Sequence, residues 1–165
     1  FGLIYISTIF KKFNQFYKEV IPMVKLLIGE AGSGKTKAMI QMANESVELV
    51  KGELVYIESS SKHMHQLHRD IRFISTQDFN LDTFSSIYGF ICGLVSENYD
   101  IEKIFIDGLD KIINPLSADL ISFIDGIDKL SDKHEFEIII SASIYDQDVL
   151  EKVQKYSHNY EKVSL

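Results

Sequence analysis

The feature that most constrains this chain is an eight-residue run that fits the pattern G-x-x-x-x-G-K-[ST], namely Gly29-Glu30-Ala31-Gly32-Ser33-Gly34-Lys35-Thr36. An apolar run at 24–28 precedes it, and an amphipathic stretch follows it. A glycine-rich loop between a buried strand and the start of a helix predicts a phosphate-binding loop, or P-loop. We therefore expect the chain to bind a nucleoside triphosphate, namely ATP with Mg²⁺.

The positions of this loop have distinct roles in the predicted site. Gly32 and Gly34 allow positive φ and a close approach of phosphate oxygens to the backbone N–H groups. The helix that follows adds the partial positive charge of its N-terminus. Lys35 would reach the β- and γ-phosphates and serve catalysis, and the Thr36 hydroxyl would ligate Mg²⁺. The predicted nucleotide-binding residues are Gly29, Gly32, Ser33, Gly34, Lys35 and Thr36.

Strand and helix signals alternate along the chain. Near-continuous Val, Ile, Leu and Phe runs predict strands at 24–28, 54–57, 103–106 and 136–140, with shorter ones at 72–74 and 160–164. Helical spacing predicts helices at 35–50, 82–98 and 147–155, and another after Asn114 with Pro115 in its first turn. Strands of this composition are typical of parallel sheets buried on both faces. The pattern predicts an α/β fold, a three-layer αβα sandwich with a mostly parallel sheet.

The length of 165 residues fits a single domain. We predict a nucleotide-binding domain at 23–165 and a peripheral N-terminal extension at 1–22, because Pro22 ends a helical pattern just before the first strand. The apolar run at 1–10 is far shorter than the ~20 residues that span a bilayer. It also lacks the basic start and cleavage site of a signal peptide, so we expect no membrane span.

Charge and cysteine content exclude several classes of protein. The formal net charge is −7, the only arginines are Arg69 and Arg72, and the lysines are scattered. A nucleic-acid partner is therefore not expected, because such proteins present a basic stripe. The single cysteine, Cys92, excludes an internal disulfide and a multi-cysteine zinc site, and it is expected in the core. This usage suits a reducing, cytoplasmic location.

A second candidate site residue is Asp107, which ends the apolar run Ile104-Phe105-Ile106. Ligands of open α/β sheets bind at the carboxyl ends of the strands, where this acid would lie. In P-loop proteins such an aspartate holds a magnesium-bound water, and we predict that role for Asp107. The alternatives are an aspartate that only caps the next turn, and a role shared with Asp110, which otherwise faces solvent.

The order of these motifs resembles that of the RecA-like ATPases over residues 23–145. The matching features are the P-loop, a strand that ends in Glu58 and a strand that ends in Asp107. The resemblance implies that Glu58 orients the attacking water, and the alternative is an exposed strand-end glutamate. It also implies that Ser141 or Ser143 contacts the γ-phosphate. If the predicted strands at 24–28, 54–57, 103–106, 136–140 and 160–164 are numbered 1 to 5, the resemblance implies the order 5-1-4-3-2 or a close variant.

Residues 23–156 also resemble a set of short bacterial P-loop proteins. The likeness lies in Lys25-Leu26-Leu27-Ile28-Gly29, in the P-loop, in Ser86-Ile87-Tyr88-Gly89-Phe90 and in the stretch 100–107. Such proteins are often labelled only "ATP-binding protein" or "twitching motility protein". The resemblance implies ATP binding and leaves the biological process open.

Three kinds of function remain open from the sequence. The leading one is a small ATPase or ATP-driven switch, in which Arg69 or Arg72 could complete the site of a neighbouring subunit. The second is a small-molecule kinase similar to thymidine kinases, although those carry a four-cysteine zinc ribbon. The third is a nucleotide-binding regulatory module without turnover, which would act on a protein partner through segment 59–82. His63, His65 and His68 could bind a metal or lie in an exposed loop.

Overall fold

A computed structural model describes residues 23–156 and 160–162. Its centre is a sheet of six parallel strands, namely β1 (Val24–Ile28), β2 (Glu53–Glu58), β3 (Ile71–Ser75), β4 (Ile101–Asp107), β5 (Glu137–Ala142) and β6 (Tyr160–Lys162). Their order across the sheet is β3-β2-β4-β5-β1-β6. The strand predicted at 160–164 is thus observed over 160–162, and its last two residues lie outside the described part.

Helices cover both faces of this sheet. They are α1 (Lys35–Ser46), α2 (Phe84–Glu97), α3 (Leu109–Ile112), α4 (Asp119–His134) and α5 (Gln147–Tyr156), with 3₁₀ turns at Met64–Gln66 and Thr76–Phe79. On one face, α1 buries Met39 and Ala43 against Tyr56 and Phe105 of the sheet. On the other face, α2, α4 and α5 form the larger core cluster. The predicted three-layer αβα sandwich is confirmed.

The strand order is that of the RecA-like fold. The five predicted strands numbered 1 to 5 correspond to β1, β2, β4, β5 and β6, and they lie in the predicted order 5-1-4-3-2. The short predicted strand at 72–74 is β3, which joins the sheet beyond β2. Because β4 and β5 separate β1 from β2, the P-loop and the end of β2 lie on opposite sides of Asp107.

The starts of two helices differ from the sequence prediction. Helix α2 begins after Thr83 rather than Asp82, because the Thr83 and Ser86 side chains each accept a hydrogen bond from the other residue's backbone N–H, both at 3.1 Å. Helix α4 begins at Asp119, so Pro115 is not in its first turn. The buried Ile113 keeps the preceding chain against the core, and the first helical N–H donates to Ser117 Oγ.

Three predictions for the faces and ends of the helices also need correction. Helical spacing places Tyr88 on the inward face of α2, but Tyr88 is exposed and its ring lies over Gly126 of α4. Helix α1 ends at Ser46, short of the predicted residue 50, and the Ser46 hydroxyl donates to the Met42 carbonyl one turn back. Cys92 is half-buried rather than a full member of the core.

Candidate functional site

The P-loop connects β1 directly to α1. After Ile28 the chain makes a tight turn in which the Ser33 N–H donates to the Glu30 carbonyl at 3.1 Å. Gly32 and Gly34 have φ of 77° and 88°, which side-chain-bearing residues adopt only at a cost. Gly34 is the N-cap of α1, so the first N–H groups of the helix stay free of intrahelical partners at this loop. This is the backbone geometry of an anion-binding helix N-terminus.

The Lys35 side chain is buried and folds back onto the carbonyl groups at the start of the P-loop. It is 8% exposed, and its Nζ donates to the carbonyls of Gly29 at 3.0 Å and Glu30 at 2.8 Å. The third donor goes to Ser143 Oγ at 2.8 Å. All three N–H donors of the ammonium group therefore have partners. Lys35 thereby links the P-loop to the end of β5.

Asp107 ends β4 in a buried hydrogen-bond network. It is 3% exposed, and its Oδ1 accepts a hydrogen bond from Ser141 Oγ at 2.6 Å. Ser141 Oγ in turn accepts one from the Gly108 N–H at 2.8 Å. Ser141, a candidate γ-phosphate contact by resemblance, thus lies against the aspartate and orients it.

Asp110, one turn after Asp107, also connects to the end of β5 by a hydrogen bond. It is half-buried in α3, and its Oδ1 accepts a hydrogen bond from the Ser143 N–H at 2.8 Å. The expectation that Asp110 faces solvent is therefore wrong. The carboxylate fixes the backbone at the end of β5, where Ser143 meets Lys35.

Glu58 ends β2 and is the parallel-register partner of Asp107. It is 7% exposed, so the alternative of an exposed strand-end glutamate is wrong. Its Oε1 lies 2.5 Å from Nδ1 of His63. Its Oε2 is buried and has no hydrogen-bond partner among the described residues. Such an unsatisfied buried oxygen is uncommon in folded proteins, and a catalytic role is one of its physical explanations.

Tyr56 is a member of this site that sequence analysis missed. It lies two residues before Glu58 on β2, so its side chain points to the same face of the sheet. Burial raises the pKa of its hydroxyl, and the nearby carboxylates of Asp107 and Glu58 raise it further. Tyr56 therefore stays neutral, and its hydroxyl forms no hydrogen bond of standard geometry within the described part. The sequence signal for Tyr56 is a phenol hydroxyl within the apolar run 54–57, just before Glu58.

The three histidines do not come together. His63 contacts Glu58, His68 Nδ1 accepts a hydrogen bond from the Asp70 N–H at 3.2 Å, and His65 is exposed. Over 23–156 and 160–162, no group of three or more His, Cys, Asp or Glu residues is placed to hold a metal ion. Arg69 and Arg72 are also exposed.

A polar pocket of about 370 Å³ lies at the carboxyl ends of β2, β3 and β4. It starts at Ser59, directly after Glu58, and it reaches Lys111 of α3. The Lys111 stem also lies close to Gly108, the residue after Asp107. The lining residues are Ser59, Thr76, Gln77, Asn80, Leu81, Asp82, Lys111 and Ile112.

Together these features define an α/β P-loop fold with RecA-like strand order. One solved structure that resembles it is the flagellar accessory protein FlaH from Methanocaldococcus jannaschii, with a TM-score of 0.59 and 13% sequence identity. The match covers 86% of this chain and 72% of that one, and at this identity it shows the fold alone. No family model matches the chain, and no match is found among curated proteins. No helix in the described residues is long and apolar enough to cross a membrane.

Proposed function

We propose that this chain binds ATP with Mg²⁺ and works as a small RecA-like ATPase or ATP-driven switch. The observation that carries the proposal is that Lys35, Asp107 and Glu58 are all buried at the carboxyl ends of the parallel strands. Ligands of open α/β sheets bind at these ends. Two serines at the end of β5 connect to two of these residues, since Ser141 in the strand contacts Asp107 and Ser143 just after it contacts Lys35.

The P-loop and Lys35 are proposed to bind the phosphates. The present partners of Lys35 Nζ are two carbonyls and a hydroxyl, which carry no net charge. A charged phosphate oxygen forms stronger, charge-assisted hydrogen bonds with an ammonium group, so it would compete well for these donors. The loop N–H groups would add neutral donors around the same anion.

Asp107 and Thr36 are proposed to hold Mg²⁺, which would neutralise phosphate charge. The oxygens of these side chains match the ligand preference of the ion. Asp107 is a buried carboxylate, and it has no ion pair to any residue of the described part. A buried charge without a counterion is costly, so a bound cation at this position would stabilise it. The residues present therefore fit the ion.

Glu58 is proposed to orient the attacking water. Its Oε2 is buried and has no hydrogen-bond partner among the described residues, so it can accept a proton or a hydrogen bond. Polar residues have this task in other P-loop enzymes. If Glu58 cannot reach the water, the chain binds ATP without efficient turnover and acts as a switch, with segment 59–82 as the part that signals to a protein partner.

A second candidate function, a small-molecule kinase, is favoured by the polar pocket. Because that pocket begins at Ser59, an acceptor hydroxyl bound there would lie beside Glu58. The single cysteine excludes the zinc ribbon of the thymidine kinases, so the acceptor would have to be recognised differently. Phosphoryl transfer to an added nucleoside in place of water would support this candidate.

Calorimetry of ATP binding tests the proposal. Lys35→Ala removes the phosphate-directed ammonium and is expected to weaken binding ten-fold or more, about 1.4 kcal/mol or above. Lys51→Ala is the matched control, because Lys51 is exposed just before β2, at the amino end of the strands. Equal ATP affinity in the parent and Lys35→Ala would contradict the site. An ATPase assay of the parent then separates an ATPase from a switch.

A further inference from the structure

The loop after β2 brings His63 back onto the end of the strand it has just left. The His63 and Glu58 side chains are 20% and 9% exposed, and their Nδ1 and Oε1 atoms lie 2.5 Å apart. His63 is therefore the one hydrogen-bond partner of the Glu58 carboxylate among the described residues. The neighbouring His65 lies in the same turn but stays exposed, so the contact belongs to His63 specifically.

The loop that carries His63 is itself fixed to the P-loop helix. Asn44 Nδ2 of α1 donates to the Gln66 carbonyl at 2.9 Å, and Asn44 Oδ1 accepts from the His68 N–H at 2.8 Å. One side chain thus satisfies two backbone groups of the loop. Helix α1 starts at Lys35, directly after the phosphate-binding loop. The two Asn44 hydrogen bonds therefore fix the loop that carries His63 relative to the phosphate-binding loop.

We propose that His63 is a positioning residue that sets the orientation of Glu58. This inference rests on the proposed function, since it assigns a role to the partner of the proposed base. His63 Nδ1 holds one carboxylate oxygen, which fixes the plane of the carboxylate and leaves Oε2 for the attacking water. A general base contributes only when its reactive atom is held within hydrogen-bond reach of its target.

Steady-state kinetics of three variants test the inference. In His63→Ala the carboxylate loses its anchor, so kcat for ATP hydrolysis is expected to fall ten-fold or more. The KM for ATP should stay within about three-fold, because His63 has no contact with the P-loop. His63→Asn keeps a donor near the Nδ1 position and should recover most of kcat. His65→Ala, the exposed neighbour in the same turn, should behave as the parent.

A second measurement reports on the contact without turnover. In ¹⁵N-histidine-labelled full-length protein, the ring signals of His63, assigned through His63→Asn, should shift in Glu58→Gln while those of His65 do not. Melting temperatures of the His63 variants show whether the fold is intact.

The outcomes separate this inference from the proposed function. If the parent hydrolyses ATP and His63→Ala has the same or a higher kcat, the positioning role is wrong and the ATPase proposal stands. The positioning role is equally wrong if His63→Asn is as impaired as His63→Ala while both are folded. A parent that binds ATP but does not hydrolyse it defeats the ATPase proposal and the positioning role, even if the ring signals show the contact.

Discussion

At the scale of single residues, the site is built from polar groups that the fold has removed from water. Lys35, Glu58, Asp107, Ser141 and Ser143 are all buried. Burying such groups costs free energy unless they are hydrogen-bonded or paired. Each of the five has a hydrogen bond to a residue distant in the chain or in the adjoining loop. Ser141 in β5 and Ser143 just after it therefore orient the charged groups of β4 and of the P-loop.

Asp107→Asn tests the proposed magnesium ligand. The change keeps the shape of the side chain and its contact with Ser141, but it removes the charge that would hold the ion. We expect the gain in ATP affinity on adding Mg²⁺ to shrink ten-fold or more, with little change in Mg²⁺-free binding, as measured by calorimetry with and without chelator. Asp78→Asn, at an exposed acid of the Thr76–Phe79 turn, is the matched control. An unaltered Mg²⁺ dependence would make Asp107 a structural cap.

Glu58→Gln tests the proposed base. Glutamine keeps the size and hydrogen-bonding capacity of the side chain and loses its basicity. We expect ATP affinity within about three-fold of the parent, under ~0.7 kcal/mol. Hydrolysis should fall by roughly 10²-fold or more, the usual scale for a general base.

The control for this variant is Glu53→Gln, at the exposed other end of the same strand. Single-turnover hydrolysis gives the chemical step, and calorimetry gives the affinity. If Glu58→Gln hydrolyses ATP as fast as the parent while Lys35→Ala does not, the base lies elsewhere.

The sequence predicts the residues of the site that follow from local pattern. The P-loop and Asp107 are read from runs of at most eight neighbours, because their roles depend on one strand and the turn after it. Tyr56 and the Ser141 contact with Asp107 could not be predicted this way. They depend on which strands pair and in what register, which no local pattern specifies. The burial of Glu58 could not be predicted from local pattern either, because it follows from the position of Glu58 opposite Asp107 in the sheet.

At the scale of elements, the start of β2 is held tightly against β4. The Gly52 N–H donates to Glu102 Oε1 at 2.7 Å, and the Glu53 N–H donates to the Asp100 carbonyl at 2.7 Å. A Cβ added to Gly52 would lie 2.0 Å from the Asp100 oxygen, a backbone atom that cannot move aside cheaply. Glycine is therefore required there by a close approach of two strands.

Gly52→Ala tests this contact. The clash must be relieved by shifting β2 away from β4, and overpacking of this kind costs about 1–3 kcal/mol. We expect a melting temperature lower by several degrees, measured by circular dichroism. Gly93→Ala is the control, because its Cβ would meet nothing within 4 Å and alanine favours a helix. A Gly52→Ala melting temperature equal to that of the parent would contradict the observed approach of the two strands.

Elements differ in how well the sequence predicts them. The buried strands are found from continuous apolar runs because both of their faces are covered. The starts of α2 and α4 are missed because several good capping residues stand close together. Asp82 and Thr83 can both cap a helix, and only the geometry of the turn selects the pair Thr83 and Ser86. A capping residue alone therefore fixes a helix start only to within a few residues.

At the scale of the whole molecule, the strand order decides where ligands can bind. The P-loop strand β1 lies next to β5, and β4 lies between β5 and β2. A triphosphate on the P-loop would therefore be on one side of Asp107, and the polar pocket on the other. The strand that carries Glu58 adjoins β4 on the pocket side. The buried carboxylates of Asp107 and Glu58 therefore lie between the P-loop and the polar pocket.

The described fold also predicts how much of the chain the nucleotide site needs. Among the described residues, both core clusters, the P-loop and the groups around Asp107 and Glu58 lie within 23–156. A chain that begins at Met23 is therefore expected to fold and to bind ATP with an affinity within about three-fold of the full chain. The melting temperature and the ATP affinity of the two chains are compared by circular dichroism and calorimetry. The Lys35→Ala variant of each chain is the control for loss of binding. A drop of ten degrees or more, or a loss of binding, would show that residues 1–22 pack on the domain and would assign them to it.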